Sequence, residues 1–314
     1  MENNYFNNKR IWITGHKGMV GSSLVRSLAK LNCELLLATR SELDLLDRES
    51  VRKWALFQKP DLVFHAAAKV GGIYANLNYP ADFIVENLQS FLNVAQAAKE
   101  TKVEKLLFVA TNCVYPSNFD NVIPEEAIFT GAPDDAVRPY AVSKIAGIEL
   151  CRAYAKQYRC NFISIIPPNL YGPGDNYHPD NSHVIAGIMQ KTHHAKMNNL
   201  PQLLVWGDGS PRRELLWVDD LSQAMLKLMS SDTKYDLYNI GSGSDLSINE
   251  IANSIATTVG FMGKIVYDKS KPNGAKRKLL DSSRITALGW YPRTSLSTGL
   301  KIAYADFLSN EVNK

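Results

Sequence analysis

A hydroxyl, a carboxamide and a thiol stand on consecutive residues, Thr111, Asn112 and Cys113, directly after the apolar run KLLFVA. In open α/β sheets ligands gather beyond the carboxyl ends of the strands, so a strand that ends in small polar groups aims them at something bound. Further along, RPYAVSKIAG places Tyr140 and Lys144 four residues apart, on one face of any helix formed there. A phenol with a pKa of about 10 is a poor acid or base at neutral pH, and a lysine cation beside it favours the phenolate. Supplied with a hydride donor, Tyr140 can protonate a carbonyl oxygen as hydride reaches its carbon, while Thr111 hydrogen-bonds the same oxygen. The same spacing recurs at Tyr5/Lys9 and Tyr267/Lys271, so it needs its surroundings to carry meaning.

Those surroundings include a seat for a dinucleotide. TGHKGMVG puts Gly15, Gly18 and Gly21 between a short β-branched run, RIWIT, and a segment of helical periodicity, MVGSSLVRSLAKLN. Glycines there permit a tight turn, close approach of a pyrophosphate and close helix packing, and the helix start offers unpaired N–H groups. The second apolar run ends ATR. An acidic residue at that place would hold the ribose hydroxyl of NAD, whereas Arg40, helped by Lys17, suits the 2′-phosphate of NADP(H). The competing reading of Arg40 is a solvated surface charge.

To position these groups the chain must alternate strands and helices. ELLLAT, DLVFHAA, KLLFVAT and NFISII are apolar throughout and are separated by the helix-like stretches RESVRKWALF, ADFIVENLQSFLNVAQAAKE and YAVSKIAGIELCRAYAKQY. That texture predicts an α/β fold with a doubly wound parallel sheet covered on both faces. PPNLYGPGDNYHPDNSH then reads as the exit from the nucleotide domain, and a smaller α/β substrate domain follows. The expected division is 1–172, plus roughly 218–243, for the NADP-binding Rossmann domain, and 173–217 with 244–314 for the substrate domain.

Composition narrows the function classes. The net charge of +4 on 314 residues is small, and KPNGAKRK is the only dense basic cluster, so nucleic acid is not the expected partner. Four cysteines without C-x-x-C or His/Cys ligand spacing predict reduced thiols and no metal site. The polar N-terminus lacks a secretory core and no apolar run is long enough to span a bilayer, so a soluble, cytoplasmic protein with no membrane partner is expected.

The glycine turn, the Thr111 loop and the Tyr140/Lys144 pair together resemble the extended short-chain dehydrogenases/reductases. HAAAKVGGI, YPADF, NLYGPGDN, HPDNSHVI, VWGDGSPRRE, VDDL and KPNGAKRKLLD resemble more closely the GDP-L-fucose synthase family, from about Lys9 to Tyr304. The resemblance implies an NADPH-dependent enzyme that inverts carbons 3 and 5 of GDP-4-keto-6-deoxy-mannose and reduces carbon 4, with Cys113 as base and His183 as acid. It implies cofactor contacts at Gly15, Lys17, Gly18, Met19, Val20, Gly21, Arg40, Ala66, Lys144, Pro167, Asn169, Leu170 and His183. For the GDP-sugar it points to Asn169, Lys191, Trp206, Arg213 and Asn273. It also implies a homodimer, for which the long helices of ADFIVENLQSFLNVAQAAK and YAVSKIAGIELCRAYAKQY offer apolar faces.

From residue type alone Cys113 is an inert small hydrophobe, His183 a polar residue near a helix start and Trp206 a core residue. The chain departs from the family pattern at Thr111, usually serine, at Asn273, often aspartate, and at Pro168, more usually threonine. These departures bear on the sugar more than on the reaction. The alternatives are NADPH-dependent 4-reduction of a related GDP-4-keto-6-deoxy sugar, such as a heptose, with or without epimerisation, an NAD-recycling epimerase or dehydratase, against which Arg40 argues, and a non-catalytic NADP sensor.

Overall fold

The computed structural model describes residues 2–117, 119, 121–178, 182–271, 273 and 275–312. A single turn, α1 (Glu2–Tyr5), leads into alternating β1 (Arg10–Thr14), α2 (Met19–Leu28), β2 (Glu34–Leu36), α3 (Arg48–Gln58) and β3 (Leu62–His65). The chain continues through α4 (Ile73–Asn78), α5 (Pro80–Glu100), β4 (Lys105–Val109), α6 (Arg138–Tyr158) and β5 (Phe162–Ile166), with short 3-10 turns between β4 and α6. Beyond these come β6 (Asn169–Tyr171), α7 (Val184–Met197), β7 (Gln202–Trp206), β8 (Arg212–Trp217), α8 (Val218–Ser230) and β9 (Leu237–Asn239). The last elements are β10 (Asp245–Ser247), α9 (Ile248–Val259), β11 (Lys264–Asp268), α10 (Ser283–Thr286) and α11 (Leu296–Val312).

The main sheet is wholly parallel, in the order β2-β1-β3-β4-β5-β9, which is the doubly wound sheet the apolar runs predict. Every residue of β3, β4 and β5 is buried because helices cover both faces. Ile11 and Ile13 pack with Leu24, Leu28, Leu221 and Met225 on one side, and Trp12 packs with Val51, Ala55 and Val94 on the other. The order in which strands are added to the sheet reverses between β1 and β3, and the crevice outside their carboxyl ends is where such sheets take ligands.

The helices begin and end where their residues allow. Asp47 accepts N–H groups of Glu49 and Ser50 at the start of α3, prolines open α5 and α6, and Arg159 closes α6 at φ 59°. Gly147 lets α6 lie close on β4, since a Cβ there would stand 2.3 Å from the Phe108 ring. That approach carries Tyr140 and Lys144 over the end of β4.

Two smaller sheets, β10-β8-β6 and β11-β7, surround a separate core of Ile185, Met189, Leu203, Ile251, Ile255 and Phe307. Strands form beyond those read from the sequence: β6 lies inside PPNLYGPG, RRELLW forms β8, and β10 and β11 lie in the final region. Pro167, Pro168 and Gly172 flank β6 so tightly that turn signals hide a strand of three residues. Among the described residues no helix is long and apolar enough to cross a membrane, no cluster of His, Cys, Asp or Glu could hold a metal, and all four thiols are free.

Candidate active site

At the end of β1 the backbone turns at Gly15 with φ +71°, so close to the loop after β3 that a Cβ would lie 2.7 Å from Ala67 Cα. At Gly21 a Cβ would lie 2.2 Å from the Gly15 carbonyl oxygen. Gly18 donates its N–H to the same carbonyl at 3.0 Å and caps α2 without a side chain. Met19 and Val20 follow as the first residues of α2, whose first-turn N–H groups face outward for an anion. Beneath them Thr14 hydrogen-bonds the buried His65 at 3.0 Å and accepts the Ala67 N–H at 3.3 Å, which fixes the Ala66–Ala67 loop against the turn. The cradle has the shape and donors that a dinucleotide pyrophosphate requires. Arg40 stands past the end of β2, three-quarters exposed, with Glu86 4.0 Å away, and Lys17 is exposed on the turn.

Thr111 leaves β4 in extended geometry and opens the 3-10 turn Asn112–Val114, its hydroxyl accepting the Cys113 N–H at 3.3 Å. The Asn112 N–H donates to the Pro167 carbonyl at 3.2 Å, tying the loop after β4 to the loop after β5. Tyr140 reaches this turn from α6. Burial raises the phenol's pKa, Cys113 raises it further, and the nearby Thr111 hydroxyl opposes both. Lys144 is buried, donates to the Val109 carbonyl at 2.9 Å, and sits 5.9 Å from the centre of the Tyr140 ring. Burial brings its ammonium down to about 7. The lowering of the phenol that the spacing suggested is therefore not what the geometry produces. Desolvation dominates, and Tyr140 is held as a neutral O–H, the form that donates a proton to a carbonyl.

Cys113 is half-buried. Arg213, on β8, donates to the carbonyls of Arg212 at 2.8 Å and Ala275 at 2.7 Å, and its charge interacts with that of Cys113. Lys278, buried on the segment after β11, donates to the Asn112 carbonyl at 3.2 Å and interacts with Cys113 as well. Sequence reasoning read KPNGAKRK as a dense basic cluster and part of the family resemblance, with Asn273 as a substrate contact, and missed Lys278, whose burial depends on the chain folding back over the Thr111 loop. Asn169 donates to the Glu214 carbonyl at 3.4 Å, Leu170 pairs with Leu216, and Pro167 is buried.

Trp206 at the end of β7 is 55% exposed, which removes it from the core, and its ring lies 4.7 Å from the Lys191 ammonium and 5.5 Å from that of Lys271. Asn273 accepts the Asp208 N–H at 2.9 Å and crowds Gly207, so its carboxamide pins the turn beside Trp206. His183 precedes α7 as its N-cap residue, and burial lowers its imidazole. Among the described residues it shares no hydrogen bond with Cys113, and the neighbouring Pro179, Asp180 and Asn181 of the HPDNSHVI block lie outside them. A cavity of about 340 Å³ beside β8 is lined by Tyr171, Arg213, Trp217, Ser242 and Arg293, without Thr111, Cys113 or Tyr140.

Residues 11–241 match the NAD dependent epimerase/dehydratase family. A GDP-L-fucose synthase of Sinorhizobium fredii is 48% identical over 302 residues, 96% of each chain. A GDP-L-fucose synthetase from Naegleria fowleri bound to NADP is similar in structure, with a TM-score of 0.91 and 26% identity over 98% of this chain and 94% of that one. A GDP-6-OMe-4-keto-L-xylo-heptose reductase from C. jejuni aligns with a TM-score of 0.90 and 33% identity, covering 96% of this chain and 98% of that one.

Proposed function

Because the chain belongs to the NAD dependent epimerase/dehydratase family, we propose that it converts GDP-4-keto-6-deoxy-mannose to GDP-L-fucose by 3,5-epimerisation and NADPH-dependent 4-keto reduction. The observation that carries this reading is the convergence of Thr111, Cys113 and Tyr140 on one turn after β4. Its support from similarity is the S. fredii synthase at 48% identity.

The 4-ketone acidifies the hydrogens on carbons 3 and 5. The Cys113 thiolate takes one such proton, the electron pair passes to the carbonyl oxygen as an enolate, and His183 returns a proton from the opposite face. Thr111 and Tyr140 hold the developing oxyanion. After both inversions Tyr140 gives its proton to the carbonyl oxygen. NADPH supplies the hydride for that last step. Lys144 holds positive charge behind the phenol, and Asn169, Pro167, Leu170 and His183 border the cofactor.

Gly15, Gly18 and Gly21 with Met19, Val20 and Ala66 seat the pyrophosphate, and Arg40 with Lys17 takes the 2′-phosphate. Lys191 and Arg213 neutralise the GDP diphosphate while Trp206 stacks on base or sugar. Asn273 reaches the substrate through the turn it pins. The first sheet, completed by β9, serves the cofactor, and the remainder serves the sugar. The protein acts in the cytoplasm as a homodimer through α5 and α6.

Incubation with NADPH and GDP-4-keto-6-deoxy-mannose in heavy water tests the reading. The expected outcome is NADPH consumption with deuterium at carbons 3 and 5 and an L-galacto ring by NMR, with both deuterium signals lost in Cys113→Ser and His183→Gln. Consumption without deuterium overturns the roles of Cys113 and His183 and leaves a 4-reductase. The likeness to the C. jejuni heptose reductase supports a GDP-4-keto heptose as the second substrate to try.

A further inference from the structure

We propose that Arg277 is a positioning residue for the GDP-sugar: its ion pair with Asp245 pins residues 275–280, the run of chain that joins the nucleotide end of the site to the catalytic turn. The inference rests on the GDP-sugar reading above. Just ahead of this run, the Lys271 ammonium lies 5.5 Å from the centre of the Trp206 ring, and Asn273 accepts the Asp208 N–H at 2.9 Å. Arg213 then donates to the Ala275 carbonyl at 2.7 Å, and the Arg212 N–H to the Lys276 carbonyl at 2.9 Å. Two residues on, Lys278 donates to the Asn112 carbonyl at 3.2 Å, inside the turn that carries Thr111 and Cys113. The run ends where the Ile123 N–H donates to the Leu279 carbonyl at 2.8 Å and the Leu280 N–H to Glu214 at 2.9 Å.

Residues 275–279 belong to no helix or strand, so contacts from other segments set their course. The charged contact is made at the middle of the run. Asp245 of β10, whose side chain is 5% exposed, takes the Arg212 Nε at 2.7 Å on one carboxylate oxygen and the Arg277 Nε on the other. Arg212 also donates to the Asp245 carbonyl at 2.7 Å. A carboxylate withdrawn from water and shared between two guanidiniums makes charge-assisted bonds of defined geometry, unlike an exposed pair. Among the described residues Asp245 is the partner of Arg277, whereas Asp245 keeps Arg212 when Arg277 is removed. Loss of Arg277 therefore frees the run without leaving a buried charge unpaired. The run then shifts relative to Trp206 and Arg213, the groups assigned to the nucleotide, and misplacement by about 1 Å is enough to weaken a positioned contact.

The competing role for Arg277 is that of an ion pair which adds a little stability and leaves the site untouched. The test compares wild type with Arg277→Met, which keeps the length without the charge, and Arg277→Lys, whose ammonium can reach the same carboxylate. GDP binding to the NADPH-loaded enzyme is measured by calorimetry, and NADPH affinity by fluorescence titration. Trypsin cleavage after the exposed Lys276, followed by mass spectrometry, reports how firmly the run is held. In Arg277→Met the dissociation constant for GDP is expected to rise at least about tenfold and cleavage after Lys276 to quicken, with NADPH affinity unchanged. Arg277→Lys is expected to recover most of both effects.

Unmoved GDP affinity in Arg277→Met overturns the proposal, even if its melting temperature falls, because only the stabilising role would remain. An equal loss in Arg277→Lys overturns it too, as does a parallel loss of NADPH affinity, which would mark general damage to the fold. Wild type that binds NADPH and no GDP overturns the GDP-sugar reading itself, and the proposal with it. Failure of the reading is thus seen in wild type, and failure of the proposal alone in the variants.

Discussion

Deleting the oxygen of Tyr140 separates its chemistry from its packing, because the ring stays edge-on to Phe83 at 6.0 Å when the hydroxyl goes. Tyr140→Phe is therefore expected to keep NADPH affinity and to lose roughly 10²–10⁴-fold in kcat, the usual share of a general acid. Lys144 adds a pH signature. Burial disfavours its cation, so the charge is full below its value of about 7 and is lost as pH rises through it. If the cation supports catalysis, kcat/KM for NADPH falls on the alkaline side of about 7 in wild type and shows no such limb in Lys144→Arg, whose charge persists. A flat wild-type profile from pH 6 to 9 would remove Lys144 from that role. Thr111, Tyr140 and Lys144 were legible as candidates because local sequence sets their places: one follows a strand end, and two share a helix face. Lys278 and the Asn273 pin were not, since each depends on a segment returning over residues far away in the chain.

Elements reach the site through close contacts that leave no space for a side chain. Gly21→Ala forces a Cβ against the Gly15 carbonyl, where the neighbour is backbone and cannot swing aside. Overpacking of this kind costs on the order of 1–3 kcal/mol, and here the shift falls on the turn that faces the pyrophosphate. The expected outcome is a lower melting temperature together with at least tenfold weaker NADPH binding in a fluorescence titration, and a variant with unaltered affinity would remove the turn as the seat. Long apolar strands such as β4 and β5 were readable because burial on both faces leaves an uninterrupted run. β6 and β8 were not, because a strand of three residues between prolines and a glycine shows no period, and the alternation in RRELLW is broken by the buried Glu214.

Over the whole molecule, α5 carries Val85, Leu88 and Leu92 exposed along one face, and Val142 of α6 and Leu77 of α4 are exposed too. Isolated apolar residues on a surface need no explanation, but a row of them on helices already packed together fits an isologous interface. For a homodimer built there, Val85→Asp combined with Leu88→Asp is expected to halve the mass measured by light scattering while NADPH binding persists. Wild type at the mass of one chain would refute the assembly.

The placement of β9 on the outer side of β5 carries a consequence for biosynthesis. When the ribosome has released β5, the segments from β6 through α8 must still be made before its neighbour arrives, so a row of unpaired backbone donors and acceptors stands open on the nascent chain. Truncation after β5 would strand the protein in that condition. It would yield an aggregation-prone fragment in place of a minimal cofactor-binding module, and a chaperone that shelters the growing chain should raise the yield of the full-length protein by guarding that edge.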